Sequence, residues 1–352
     1  MMSFIDISAV IKVLVLSTLS FVLALAWTPL LTNFLYRHKL GKQIRDSGET
    51  PIFTKFHLKK SGTPTMGGVL IWGTTLALAL VINLLSRWTP FEIWDQLNFL
   101  NRAETRLPLG ALVAAAVVGL VDDIYSVRGK GVPGGGLRVR HRLLIYTLIA
   151  IAGAYWFYVK LGWDILHIPF LGNYQIGWWY IPIFIFIIVS TSFSVNEADG
   201  LDGLAGGILL AAFSAYGAIA FAQGRVNLAA FCGVIVGALL AFLWFNITPA
   251  RFFMGDTGSM ALGTTLGIVA MLTNQALLLP VIGFLLVVEA LSVMLQLTSK
   301  KLFGRKIFLS SPIHHHFEAM GWPEPKIVMR FWIISAMTAV VGMTLVLIDR
   351  FN

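Results

Sequence analysis

The chain has one cysteine, few charges and no long polar segment, and each shortage excludes something. Cys232 lies alone inside an apolar run, so an intrachain disulfide and a thiolate metal cage are both ruled out, and the residue reads as a small buried hydrophobe. Only 12% of the 352 residues are charged, where soluble proteins carry about 25%, and 57% are hydrophobic. This is the composition of an all-α polytopic membrane protein. No polar stretch is long enough to fold alone, so residues 1–352 read as a single membrane domain. Acidic residues are scarcer than basic ones, 17 against 26, for a net charge of +9. The bases cluster in particular loops, which points to membrane topology and anionic ligands rather than nucleic acid. No small-residue cleavage pattern follows the first apolar stretch, which reads as a retained helix. There is also no Ser-His-Asp pattern, no dinucleotide glycine fingerprint and no evident internal repeat, and the last weighs against an inverted-repeat transporter.

What is present is apolar length. A spanning helix needs about 20 mostly apolar residues. Ten candidates occur, at 9–35, 66–86, 107–122, 142–160, 178–195, 201–222, 227–246, 258–274, 276–298 and 327–349. The third and eighth are short and the ninth is long, with Pro280 and Gly283 placed to kink it. Basic residues set the orientation. Arg37, Lys39, Lys42, Arg45, Lys55, Lys59 and Lys60 fall in one loop, and Arg128, Lys130, Arg138, Arg140 and Arg142 in another. Lys300, Lys301, Arg305, Lys306, Lys326 and Arg330 fall in a third, and with Arg251 this puts 19 of the 26 bases on one side. That side is cytoplasmic, and ten spans then place both termini outside. Trp88, Trp94, Trp163, Trp178 and Trp179 lie in the opposite loops, as an interfacial aromatic belt would.

The polar motifs all fall at cytoplasmic ends. Gly119-Leu120-Val121-Asp122-Asp123 closes an apolar run on two acids, which on a helix point about 100° apart. Acids at a helix C-terminus oppose the macrodipole, which favours a site over decoration. In Asn196-Glu197-Ala198-Asp199-Gly200-Leu201-Asp202-Gly203 the spacing of Asn196, Asp199 and Asp202 predicts one shared helical face, and either aspartate could instead cap the next helix. Asn246 to Ser259 ends in Phe253-Met254-Gly255-Asp256-Thr257-Gly258-Ser259, where Asp256 is either an N-cap or a Mg²⁺ ligand. Lys59 and Lys60 precede Thr65, a candidate cap, with spacing that does not match a Walker A loop. His314-His315-His316 could hold zinc, but adjacent histidines rarely share an ion, and contacts to phosphate or sugar are the preferred reading. Acids for a metal beside bases for a diphosphate suggest phosphoryl-type transfer at the membrane surface, with a lipid as one substrate.

Five of these motifs carry a resemblance. Lys60-Ser61-Gly62-Thr63-Pro64-Thr65-Met66-Gly67-Gly68, the Asp122-Asp123 run, Asp199-Gly200-Leu201-Asp202-Gly203-Leu204-Ala205, Phe253 to Ser259 and Pro312-Ile313-His314-His315-His316-Phe317-Glu318 resemble the MraY family. These are the phospho-N-acetylmuramoyl-pentapeptide transferases of the polyprenyl-phosphate N-acetylhexosamine-1-phosphate transferase superfamily. The resemblance runs in order along essentially the whole chain. It implies transfer of phospho-N-acetylmuramoyl-pentapeptide from its UDP-linked form to undecaprenyl phosphate in the bacterial cytoplasmic membrane, giving lipid I and UMP, with Mg²⁺ required. It implies Asp256 as the metal ligand and Asp122, Asp123 and Asp256 as the catalytic centre. It also implies substrate contacts from Lys60, Thr65, Asn196, Asp199, Asp202, Asn246, Phe253, Gly255, Gln296, His314 and His315. A homodimer is compatible with the sequence.

Two departures from that family stand out. Glu197-Ala198 replaces the usual Leu-Thr, and Arg142 replaces an expected Lys beyond a loop, Gly129 to Arg142, that is unusually rich in Gly and Arg. A transferase for UDP-N-acetylglucosamine and an ion-coupled transporter are the competing readings. The histidine segment argues against the first, and acids at helix ends rather than the bilayer midplane argue against the second.

Overall fold

The computed structural model describes residues 7–41, 60, 62–101, 104–130 and 136–351. Lys42, Arg45, Lys55, Lys59, Ser61 and the stretch Gly131-Val132-Pro133-Gly134-Gly135 lie outside the described residues.

Every apolar segment forms a helix. They are α1 (Ile7–Arg37), α2 (Val69–Trp88), α4 (Arg106–Val127), α5 (Val139–Tyr155), α6 (Tyr180–Ala198), α7 (Leu204–Ala222), α8 (Val226–Asn246), α9 (Asp256–Leu272), the pair α10 (Leu279–Ile282) and α11 (Phe284–Phe303), and α13 (Glu324–Phe351). Two short helices, α3 (Glu92–Leu97) and α12 (Ile313–Ala319), lie between them. Among the described residues, eight helices have the length and apolarity to cross a membrane, or nine if α10 and α11 form one span. The helix α9 has 17 residues, as does α5, which runs on through a π-helical turn to Lys160.

The structure corrects the sequence reading at two places and bears out its kink in the ninth segment. α4 does not stop on its two acids: it runs on to Val127, so Asp122 and Asp123 sit one turn inside the helix. The long ninth segment breaks at Gly283 with a bend of 84°, as its Pro and Gly suggest. The all-α expectation misses one hairpin, β1 (Ile165–Ile168) against antiparallel β2 (Gly172–Gln175). That hairpin is tied to the end of α13, where the Asp349 carboxylate accepts from the Phe170 N–H at 2.6 Å and lies 2.5 Å from His167 Nε2.

The bundle is organised around α9. Every residue from Thr257 to Leu272 is buried, with α4 and α6 packed along it. α8 packs between α1, α2 and α7, and α13 covers α7. Helices in lipid gain little from apolar burial against one another, so close packing of small residues and interhelical hydrogen bonds matter more. Both are present here. Ser192 Oγ meets Thr264 Oγ1 at 2.9 Å between α6 and α9, and Thr257 Oγ1 donates to the Ala116 carbonyl at 2.8 Å between α9 and α4. Ser20 Oγ donates to the Val234 carbonyl at 2.6 Å between α1 and α8. Large apolar side chains such as Leu30, Phe186 and Trp244 face outward, as lipid contact requires.

At the α4–α9 crossing, Gly119 lies so close to Asp256 that a Cβ there would collide with the Asp256 carbonyl. Gly119→Ala is therefore expected to cost about 1–3 kcal/mol through overpacking. Gly110→Ala on the same helix, where a Cβ meets open space, should be neutral or slightly stabilising. Thermal unfolding in detergent checks the pair.

Candidate active site

The site begins with a helix terminus that cannot cap itself. Gly255, at φ +73, precedes α9 and offers no side chain to the first N–H groups of the helix. Asp123 supplies the cap from α4. Its Oδ1 accepts from the Asp256 N–H at 3.1 Å and its Oδ2 from the Thr257 N–H at 2.9 Å. Thr65 Oγ1 donates to the same carboxylate at 3.1 Å. Thr65 therefore does not cap α2, whose N-cap is Gly68, and Asp256 is the first residue of α9 rather than its N-cap.

Arg142, from the first turn of α5, joins the acids. Its Nε donates to Asp122 Oδ2 at 2.7 Å, its Nη2 to Asp256 Oδ2 at 2.9 Å and its Nη1 to Asn196 Oδ1 at 3.0 Å. The other Asp122 oxygen accepts from the Leu137 N–H at 2.5 Å, and Asp122 has no solvent exposure. Asn196 Nδ2 donates to Asp256 Oδ1 at 2.6 Å and to Ser259 Oγ at 3.0 Å. One turn further along α5, Tyr146 has a buried hydroxyl with no hydrogen-bond partner among the described residues, within electrostatic reach of Asp256 and Asp122.

The second motif does not form one helical face. α6 ends at Ala198, and residues 199–203 form a turn before α7, so the three polar side chains part company. Asn196 goes to Asp256, as above. Asp199 accepts from the Gly255 N–H at 3.2 Å. Asp202 pairs with Lys60 Nζ at 2.7 Å and accepts from the Ala250 N–H at 3.1 Å. Neither aspartate caps α7, whose N-cap is Gly203. Asn246 fastens the two loops by accepting from the Gly203 N–H at 2.9 Å and donating to the Phe252 carbonyl at 2.8 Å. Lys60 also pairs with Glu324 at 2.5 Å and sits 5.9 Å from the centre of the half-buried Phe253 ring.

The histidines form a neighbouring buried cluster. His314 Nδ1 lies 2.9 Å from Glu289 Oε2, and His315 Nδ1 lies 2.6 Å from Glu318 Oε2. Each of these two histidines has its own carboxylate, and among the described residues no three His, Cys, Asp or Glu side chains form a metal cage. The zinc alternative for the three histidines therefore has no convergent ligand set. His314 Nε2 and Glu289 Oε1 are buried without a partner among the described residues, and that nitrogen faces Gly200 of the 199–203 turn. Burial pushes the His314 pKa down, but Glu289, with Glu318 and Glu197, outweighs it and raises the pKa above the ordinary value. Glu197 lies within electrostatic reach of His314, Arg142, Glu289 and Asp256. Gln296 has a different position from the rest: its amide binds the Ile307 and Phe308 N–H groups and the Phe308 carbonyl, ordering the loop after α11.

Sequence reasoning passed over Glu289, Glu324 and Tyr146. Glu289 left a signal, a lone acid inside an apolar run, which by default marks function in a membrane helix. Glu324 and Tyr146 left none.

The donor set suits a hard divalent cation. Asp256 is the partly accessible carboxylate, its side chain 12% exposed; Asp122 shares its cation and Asn196 adds a carboxamide. Such an oxygen-rich centre, gathered at one end of a helical bundle, is that of a polytopic membrane transferase.

The comparisons make this specific. Residues 106–274 match the profile of Glycosyl transferase family 4, and residues 60–71 match phospho-N-acetylmuramoyl-pentapeptide-transferase signature 1. A phospho-N-acetylmuramoyl-pentapeptide-transferase of Chloroflexus aurantiacus is 43% identical over 96% of this chain and 90% of its own length. Relatives of the same name from Geobacillus thermodenitrificans and Clostridium novyi are 39% and 38% identical, over 94% and 92% of this chain and 96% and 93% of theirs. The chain belongs to the phospho-N-acetylmuramoyl-pentapeptide-transferase family.

Because the folded His314 pKa is raised, its pair with Glu289 is fully stabilising below the unfolded imidazole value and is lost as pH rises through the higher folded one. Thermal stability should therefore decline from neutral towards alkaline pH, and Glu289→Gln should flatten that decline. Melting curves of both proteins across this range test it.

Proposed function

We propose that this chain transfers phospho-N-acetylmuramoyl-pentapeptide from its UDP-linked form to undecaprenyl phosphate, yielding lipid I and UMP. The reaction is a step of peptidoglycan synthesis, and the protein is a multi-pass enzyme of the bacterial inner membrane. The observation that carries the assignment of roles is convergence. Lys60 and Thr65, Asp122 and Asp123, Arg142, Asn196 to Asp202, and Asn246 to Asp256 come from separated stretches and meet through direct hydrogen bonds. The competing UDP-N-acetylglucosamine and transporter readings explain the family signature less well.

In our reading the chain forms one membrane domain with ten spans, counting the short α9 and the bent α10–α11 pair. Both termini are extracytoplasmic and the site faces the cytoplasm, where a soluble nucleotide and a lipid phosphate can meet. Mg²⁺ would be held at Asp256, with Asn196 and Asp122 near by, and would supply charge neutralisation for the diphosphate. The nucleotide would lie over the turn of Asp199 and Asp202 and the loop of Phe253 and Gly255, with Lys60 as a cation near the ring of Phe253. Asn246 would keep those two loops in register. Thr65 and Asp123 would act by positioning α9, and His314 and His315 would approach the phosphates or sugar from the neighbouring cluster. Gln296 would reach substrate only through the loop it orders.

The reaction we assign is direct attack. A lipid phosphate oxygen forms a bond to the β-phosphorus as the bond from that phosphorus to the bridging oxygen breaks, and UMP leaves with the electron pair. Phosphoryl transfer of this type depends on positioning and charge compensation more than on covalent chemistry by the protein. Asp122 orients the lipid phosphate and accepts any proton it still carries.

Asp122→Asn is expected to abolish turnover while leaving the fold intact. Asp123→Ala should lose both activity and stability, by roughly 1–2 kcal/mol for a lost helix cap. Rapid-quench measurement of UMP separates the mechanisms. Direct attack predicts no burst from enzyme, metal and nucleotide without lipid acceptor, and a stoichiometric burst would establish a phospho-enzyme instead. Absence of UMP release with every substrate present would overturn the assignment.

A further inference from the structure

Arg142 stands at the centre of the acids. Its side chain is four-fifths buried, with a relative exposure of 20%. Through its three nitrogens the guanidinium holds Asp122, Asp256 and Asn196 at once, at 2.7, 2.9 and 3.0 Å. Gly136 and Leu137, just before α5, lie beside it: the Leu137 N–H binds Asp122, and a Cβ at Gly136 would lie 3.4 Å from Arg142 Nη2. A lysine, the residue that the family pattern leads one to expect here, is a compact point charge without a planar fork and would not meet these three acceptors in the same way.

We propose that Arg142 acts as a tethered cation that holds the metal-free centre together and makes tight metal binding conditional on the nucleotide diphosphate. This rests on the reading of Asp256 as the metal ligand. The physical reason is competition for the same charge. A fixed positive charge in hydrogen-bond contact with Asp256 repels a second cation arriving at that carboxylate, and the partly desolvated setting strengthens the repulsion. A diphosphate offers the guanidinium another anionic partner with matching geometry. When the fork turns to the phosphates, Asp256 and Asp122 lose their cation together. Asp256 becomes a better metal ligand at the same moment that Asp122 becomes free to accept a proton from the lipid phosphate. Nucleotide and metal are therefore positively coupled, each tightening the other by the same factor. Arg142 positions and couples; the bonds that form and break are those of the substrates.

The test measures metal binding without turnover. The full-length purified protein is titrated with Mn²⁺ and free Mn²⁺ is read by electron paramagnetic resonance, with and without UDP-N-acetylmuramoyl-pentapeptide and with no lipid acceptor. The wild type should bind Mn²⁺ weakly alone and much more tightly with nucleotide. Arg142→Gln should bind Mn²⁺ alone at least ~tenfold more tightly than wild type, with the effect of nucleotide reduced accordingly. Arg142→Lys, which keeps the charge but not the fork, should tighten Mn²⁺ binding severalfold and should melt below wild type in EDTA, with the gap closing when Mn²⁺ is added. This variant decides the matter if Arg142→Gln does not fold. Unchanged or weakened Mn²⁺ affinity in the Arg142 variants overturns the proposal. Asp256→Asn separates the two ideas: if it binds Mn²⁺ as wild type does in the presence of nucleotide, the metal reading of Asp256 itself fails. If Asp256→Asn loses the ion while the Arg142 variants match wild type, only the role of Arg142 fails.

Discussion

The structure depends on one carboxylate capping a helix to which it does not belong. Asp123 holds the N-terminal N–H groups of Asp256 and Thr257, and so joins the last turns of α4 to the first turn of α9. The close crossing that permits this is made at Gly119, and the Thr257 hydroxyl closes the same interface from the other side by binding the Ala116 carbonyl. A helix start buried without a cap would leave several N–H groups unsatisfied, which is most costly where water is scarce. The cap fixes the position of Asp256 because Asp256 is itself the first residue of the helix being capped. The placement of this residue is thus a by-product of satisfying the backbone.

Around that fixed point, the chain gives its buried acids cationic partners. Arg142 serves Asp122 and Asp256 and Lys60 serves Asp202 and Glu324, two acids to each cation, whereas His314 pairs with Glu289 alone and His315 with Glu318. Isolated charges cost too much at this depth, so each acid needs a cation or donors near by. The same requirement prepares the site for its proposed ligands. A cation that can leave one carboxylate for a phosphate is a binding group, and the carboxylate it leaves is open to a metal or a proton. Structure and chemistry therefore use one set of charges, and the empty and loaded centres differ in how those charges are paired.

Much of this was legible in the chain because it rests on local rules. Long apolar runs become helices, and all ten runs are helical, the ninth in two pieces; among the described residues eight helices, or nine counting the bent pair, have the length and apolarity to cross a membrane. Pro280 and Gly283 foretold the break in the ninth, and Cys232 lies buried inside α8 as its apolar neighbours imply. Charged and amide residues at helix ends identified Asp122, Asp123, Asn196, Asp199, Asp202 and Asp256 as site candidates before any of their partners were known. Local periodicity also misled, because it assumed that one helix continued where two meet. Asn196, Asp199 and Asp202 are spaced as a helical face, yet the turn after Ala198 sends them to three different partners.

By itself, then, the sequence determined the helices, the clustering of polar groups at one end of the bundle and the residue types available for the chemistry. These follow from hydrophobicity and from the cost of burying charge, both of which act residue by residue. Only the tertiary structure decided which acid caps, which acid faces a cation and which polar side chain stays unpaired. Asp122 and Asp123 are adjacent and chemically identical, yet one reaches Arg142 and the other the backbone of α9, because their side chains leave the helix in different directions towards different neighbours. Pairing of this kind depends on groups 20 to 134 residues away, and no local pattern encodes it.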